Sequence, residues 1–244
     1  MSSKFFLLFL FALFAIGAVA IHIISRKKEK STKISAWKKF FVYFFVIYAI
    51  FLSILYVPKL FIAICLLVAL IGAFEIVRLQ LKSQQRLAWG KFCIYFLIYI
   101  VLAVLFLLFA FEKNVGMQLL TVFAVCTFDA FSQLSGQLFG KRKIAPRISP
   151  NKTLGGLIGG TCSALILGVI VNNSEFGIIT VIILILCVVA ASFAGDLLAS
   201  YVKRQYAVKD YSALLPGHGG ILDRFDSLIV ASAVMFLLKI IYFH

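Results

Sequence analysis

The chain has 244 residues, of which 63% are hydrophobic and only 14% charged, with a mean hydropathy of +1.08. A typical soluble domain carries roughly a quarter of its residues charged, so this composition excludes an ordinary soluble globular protein, a disordered chain and a collagenous one. The formal charge of +15 would in a soluble protein raise nucleic acid as a partner, but the distribution of the charge gives a different explanation. Twenty of the 24 Lys and Arg fall in four segments, about 25–39, 78–91, 136–153 and 196–227, which is the bias of cytoplasmic loops in a membrane protein. No nucleic acid is expected.

The first apolar run, 5–24, is followed by Arg26, Lys27, Lys28 and Lys30. Positive charge after the apolar segment is the reverse of a cleaved signal, so a retained first span with its N-terminus outside is expected. Further spans are expected at about 40–57, 59–77, 92–111, 115–135, 154–171, 176–195 and 228–243, each near the ~20 residues a helix needs to cross the hydrocarbon layer. The fold class is therefore all-α, a polytopic integral membrane protein with about eight transmembrane helices. Threading the spans alternately puts the four basic segments together on the cytoplasmic side. The chain reads as one membrane domain, with N-terminal helices over 1–115 and a C-terminal region over 116–244 that carries the long polar segment 196–227. Cys65, Cys93, Cys126, Cys162 and Cys187 lie singly in apolar runs and read as buried hydrophobes, with no structural zinc.

Nine acidic residues are few enough for their placement to matter. Asp129 and Asp196 stand at membrane depth, where a carboxylate is costly without a partner and marks a functional site. Glu75, near the end of the third span and three residues before Arg78, is open to the same functional reading, but half of an i,i+3 helical ion pair is the favoured one. If the seventh helix continues beyond its span, Asp196, Ser200, Lys203 and Arg204 share one face at i, i+4, i+7 and i+8. That face offers a carboxylate, a hydroxyl and two cations, suited to a divalent ion and phosphate oxygens; the plainer reading is a solvated amphipathic extension.

After Lys209 and Asp210 comes Pro216-Gly217-His218-Gly219-Gly220, a loop tight enough for backbone N–H groups to approach phosphate. Asp223 and Asp226 then share one face at the start of the last helix. Two carboxylates with phosphate and water are ligands that Mg²⁺ prefers, and phosphoryl chemistry adds Lys or Arg to offset developing charge.

The run Ser200 to Asp226, SYVKRQYAVKDYSALLPGHGGILDRFD, resembles the signature of the phosphatidate cytidylyltransferases, also called CDP-diacylglycerol synthases. Gly195-Asp196-Leu197 and the block from Gly136 through Lys152, with Lys141, Pro146 and Ser149-Pro150, are similar to further blocks of that family. Clear similarity covers about 129–227. The resemblance implies a dimeric, multi-pass, Mg²⁺-dependent enzyme that condenses CTP with phosphatidic acid to CDP-diacylglycerol and pyrophosphate; it leaves open whether a second, monovalent cation joins.

By the same resemblance, Asp196 and Asp223 are the metal ligands, and Asp226, Ser200 and Lys203 complete the catalytic set. Asp129, Lys141, Lys152, Arg204, Lys209, Asp210, His218, Gly219, Gly220 and Arg224 are carried over as substrate contacts. The expected setting is a bacterial inner membrane with the site facing the cytoplasm and membrane lipids around it. The chain departs from the family pattern at Ala130, Ser132-Gln133, Gly155 and Ala199, the last two standing where a Glu is usual, which marks a divergent member. Three other readings are a CTP-using polyprenol or dolichol kinase-like transferase, a CDP-alcohol phosphotransferase, whose opening motif is absent, and a membrane transporter.

Overall fold

The computed structural model describes residues 3–26, 30–172, 176–214 and 219–242. Among them are eight helices and one hairpin: α1 (Ser3–Ser25), α2 (Lys30–Tyr56), α3 (Pro58–Lys82), α4 (Trp89–Ala110), α5 (Val115–Phe139), β1 (Lys143–Ala145), β2 (Ser149–Thr153), α6 (Leu154–Val171), α7 (Ile178–Gln205) and α8 (Leu222–Tyr242). Seven of these, α2 to α8, are long and apolar enough to cross a membrane, and α1 contributes a shorter apolar stretch, Phe5–Val19. The molecule is an all-α, polytopic membrane protein, with the expected number of helices in the expected order.

Outward-facing Leu, Ile and Val are numerous, including Leu70, Leu97, Val101, Ile166 and Ile183. In lipid this exposure carries no penalty, so polar groups and close packing, more than apolar burial, decide which helix faces turn inward. The buried positions of α3 run Phe61, Cys65, Val68, Gly72, Glu75, Ile76 and Leu79, a stripe at i, i+3 and i+4 spacing that directs one face to the interior.

The closest pairing is α5 against α6. A Cβ at Gly156 would lie 2.6 Å from the Ser132 carbonyl oxygen, and one at Gly160 2.9 Å from that of Phe128, so only glycine lets the two backbones approach this far. Helix α8 is the hub of the other half: it packs on α7, α4, α5 and α3. Phe6 meets Phe51 and Phe123 edge-to-face, and the three rings fasten α1 and α2 to α5.

Three connections meet at one end of the bundle. The Tyr206 hydroxyl donates to Gln80 Oε1 at 2.9 Å and the Ser83 hydroxyl to the Tyr206 carbonyl at 3.3 Å, joining the end of α3 to the end of α7. Arg204 Nε donates to the Ile148 carbonyl at 3.1 Å, joining α7 to the hairpin turn. At the opposite end, Gln118 Nε2 donates to the carbonyls of Phe109, Ala110 and Glu112, and Lys239 pairs with Glu112 at 2.9 Å.

Candidate active site

Helix α7 continues well past the end of its expected span, to Gln205, and brings Asp196, Ser200 and Lys203 along one face. It stops in a Schellman arrangement: the Val208 N–H reaches the Lys203 carbonyl, the Ala207 N–H reaches the Arg204 carbonyl, and Ala207 takes a left-handed φ of 54°. Helix α8 begins at Leu222, so Asp223 and Asp226 lie in its first turns.

The Ser200 hydroxyl donates to Asp196 Oδ1 at 3.4 Å, and the Lys152 ammonium pairs with Asp196 Oδ2. Lys203 Nζ pairs with Asp223 Oδ1 at 2.7 Å, both side chains being nearly inaccessible, at 10% and 3%. Asp223 Oδ2 accepts from the N–H groups of Gly220 at 2.8 Å and Tyr211 at 2.9 Å. The Lys203 ammonium also lies 5.3 Å from the centre of the Tyr211 ring, a cation–π contact. Each of the two expected metal-binding aspartates thus already faces a cation.

Asp226 is buried one turn along α8, where its Oδ1 accepts from the Ser227 N–H at 2.7 Å. Its backbone oxygen sits against Gly195, where a Cβ would be 3.0 Å away, so Asp226 adjoins Asp196 across the α7–α8 contact. Asp129 of α5 lies within electrostatic reach of both Lys152 and Asp196. Carboxylates from α5, α7 and α8 therefore converge around Lys152 and Lys203.

Other expected site residues lie around this centre in different ways. Arg204 is exposed and spends its guanidinium on the Ile148 and Val208 carbonyls, which makes it the clamp between the hairpin and α7. Lys141, Lys209 and Asp210 are exposed. Gly219 has a φ of +84°, and a Cβ there would meet Asp223 Oδ2 at 3.0 Å. His218, with Pro216 and Gly217, lies outside the described residues.

Arg224 and Asp129 sit at a cleft between α2, α5 and α8 whose walls are apolar, with Val42, Val46, Val122 and Leu228 among them. The hairpin itself is antiparallel, with Lys143 opposite Thr153 and Ala145 opposite Ser149. Thr153 ends it and caps α6, its hydroxyl accepting from the Gly156 N–H at 3.1 Å.

One residue of the site was not picked out from the sequence, and the role of a second was misjudged. Tyr211, buried at the centre, donates its hydroxyl to the Ala199 carbonyl at 3.3 Å, and burial together with the nearby Asp226 and Asp223 carboxylates raises its phenol well above the usual range. Glu75 corrects the ion-pair expectation: Arg78 is exposed, and the fully buried Glu75 carboxylate instead accepts from the Ser212 hydroxyl and from the Ile221 and Leu222 N–H groups. The signal for it was present in the α3 stripe, which has Glu75 on the inward face and Arg78 off it.

Among the described residues there is no group of three or more His, Cys, Asp or Glu that could hold a metal ion. A divalent ion here would have the hard oxygens of Asp196 and Asp223 and complete its shell from water and substrate phosphates. That donor set fits Mg²⁺, which commonly takes only one or two carboxylates at phosphate sites.

A family model described as the cytidylyltransferase family matches residues 1–242. The chain is 34% identical over 197 residues to the phosphatidate cytidylyltransferase of Rickettsia typhi, covering 77% of this chain and 85% of that protein. It is 49% identical over 110 residues to the phosphatidate cytidylyltransferase of Haemophilus influenzae, covering 42% of this chain and 38% of that protein. With the Staphylococcus saprophyticus phosphatidate cytidylyltransferase the identity is 33% over 173 residues, covering 69% and 66%. The matches thus span from well under half to most of these relatives' lengths.

Proposed function

The chain belongs to the cytidylyltransferase family, and from that premise we propose that it condenses CTP with phosphatidic acid to give CDP-diacylglycerol and pyrophosphate. The observation that carries this reading is the single array made by the two helix ends: Asp196 and Ser200 of α7 lead to Lys203, and Lys203 leads to Asp223 of α8. The array adjoins an apolar cleft with Arg224 at its rim, which suits an acceptor having both acyl chains and a phosphate.

In the reaction, an oxygen of the lipid phosphate attacks the α-phosphorus of CTP. The bond from that phosphorus to the bridging oxygen breaks, and pyrophosphate leaves with the electron pair. A phosphate monoester is anionic near neutral pH, so no strong general base is required of the protein. Its work is to orient two anions against each other and to offset their charge.

Lys152 and Lys203 are the cations built into this array, and each is held by a carboxylate. Ser200 holds the Asp196 side chain, and the Tyr211 ring lies against the Lys203 ammonium. Asp196 and Asp223 would hold Mg²⁺, which when bound supplies charge neutralisation of the triphosphate. The four basic connecting segments favour a site on the cytoplasmic face of a bacterial inner membrane.

The test is incorporation of α-labelled CTP into lipid by the purified protein in detergent with phosphatidic acid and Mg²⁺, beside Asp223→Ala. A labelled CDP-lipid made by the unmutated protein alone is the expected result. A phosphorylated lipid alcohol from γ-labelled CTP and a polyprenol, with no CDP-lipid, would replace this reading with a kinase.

A further inference from the structure

The geometry points to Glu75 as a positioning residue that, from the other half of the chain, sets where Asp223 presents its carboxylate. This rests on the reading of Asp223 as a metal ligand. Glu75 Oε1 accepts from the Ser212 hydroxyl at 2.5 Å and the Ile221 N–H at 3.0 Å, and Oε2 accepts from the Leu222 N–H at 2.8 Å. These donors stand at both ends of the segment 212–222, and the last two open α8. A carboxylate at a helix start also complements the positive end of the helix dipole, so one buried group both satisfies free N–H donors and fixes the direction in which α8 leaves the loop.

Gly220 lies between two carboxylates. Its N–H donates to Asp223 Oδ2, while a Cβ on it would be 2.6 and 2.7 Å from the two Glu75 oxygens. Glu75 therefore occupies the space in which a side chain at 220 would stand, while the 220 N–H is given to Asp223. With Oδ2 committed to the N–H groups of Gly220 and Tyr211, Asp223 has its Oδ1 turned to Lys203. Oδ1 is the atom that meets a cation, and its direction is inherited from the loop that Glu75 anchors. Glu75 meets the site only through Ser212 and the 220–222 backbone; it acts through the loop.

Glu75→Gln keeps the size but turns an NH₂ towards an N–H donor, which removes one side of the anchor. The experiment uses the full chain in detergent and reads two quantities: the Mg²⁺ concentration giving half-maximal CDP-lipid synthesis, and amide hydrogen exchange over 219–223. The expected result is a rise of about tenfold or more in the Mg²⁺ requirement, with turnover largely restored at high Mg²⁺, and exchange faster by about tenfold at 220–222 only. Ser212→Ala, which removes one of the three donors and leaves the carboxylate, should shift both quantities in the same direction by about two- to threefold. Asp223→Asn should not be restored by Mg²⁺.

An unchanged Mg²⁺ requirement with unchanged loop exchange overturns the inference. So does a uniform loss of turnover at every Mg²⁺ concentration with exchange raised throughout the helices, because that is a general structural role. If the unmutated protein makes no CDP-lipid, the functional reading fails, and the exchange measurement alone decides whether Glu75 anchors the loop.

Discussion

Lys203 has three attachments: its ammonium pairs with Asp223, it lies against the Tyr211 ring, and its carbonyl accepts from the last N–H groups of its own helix end. Removing the ammonium leaves Asp223 buried without its cation, a loss of the kind that costs about 3–5 kcal/mol when a buried pair is broken. Lys203→Ala should therefore weaken use of CTP more than use of lipid, raising the apparent KM for CTP by roughly tenfold or more, as for a lost hydrogen bond to a charged group; steady-state kinetics with each substrate varied separately checks this. Ala207 holds a left-handed φ that costs a residue with a Cβ about 1–2 kcal/mol, so Ala207→Gly should stabilise the fold by up to about 1 kcal/mol, read as a higher midpoint in thermal unfolding. The phenols of Tyr206 and Tyr211 are raised, in both cases first by burial. The folded state then holds these protons more tightly than the unfolded chain, so their contribution to stability is intact through neutral pH and declines as pH rises past about 10. Denaturant unfolding between pH 7 and 11 should show a loss confined to the alkaline end. Asp196, Ser200 and Lys203 were legible as a group because a 3.6-residue period is visible in sequence. Tyr211 was not, since nothing local distinguishes a buried tyrosine from an exposed one in a polar loop.

Helix α7 is longer than a bilayer requires, and its last two turns carry the site out to the connecting loops. Its end is fastened to the hairpin through Arg204. The hairpin was not foreseen because its strands, KIA and SPNKT, are short and largely exposed and have no alternation of apolar and polar residues, which is the usual mark of a strand. Glu75 was misread for a related reason: the i, i+3 rule describes an isolated helix, and the donors of α8 outbid Arg78 once the helices pack. The α5–α6 pairing makes a sharper demand. Gly156→Val would drive a side chain into the Ser132 carbonyl, and overpacking of this sort costs about 1–3 kcal/mol or separates the helices. Lower yield of folded protein by size-exclusion chromatography is the expected outcome. At Gly155, where the family usually has Glu, a Cβ would stand 3.0 Å from the Phe139 carbonyl oxygen, a tight contact. Gly155→Glu should accordingly reduce activity, despite restoring the residue usual in the family, and a labelled-CTP assay decides it.

At the scale of the whole molecule, number of helices, order and clustering of basic segments were all readable, since membrane thickness and the charge asymmetry of loops act on the chain directly. Which faces turn inward was less readable, because in lipid an outward Leu and an inward Leu are equally content. Orientation can be tested with single cysteines in a variant lacking the five native ones: an impermeant thiol reagent applied outside intact cells should label Lys113→Cys and leave Gln84→Cys unmarked, and the opposite result would reverse the topology. The bond from Glu75 to the start of α8 also limits how such a molecule can be recombined. The block from α7 through α8 looks self-sufficient in sequence, yet the acceptor for its loop is supplied by α3. A chimera that grafts this block onto foreign N-terminal helices should work only when a carboxylate arrives at the depth of Glu75, so a working graft has to be cut before α3 and not before α5.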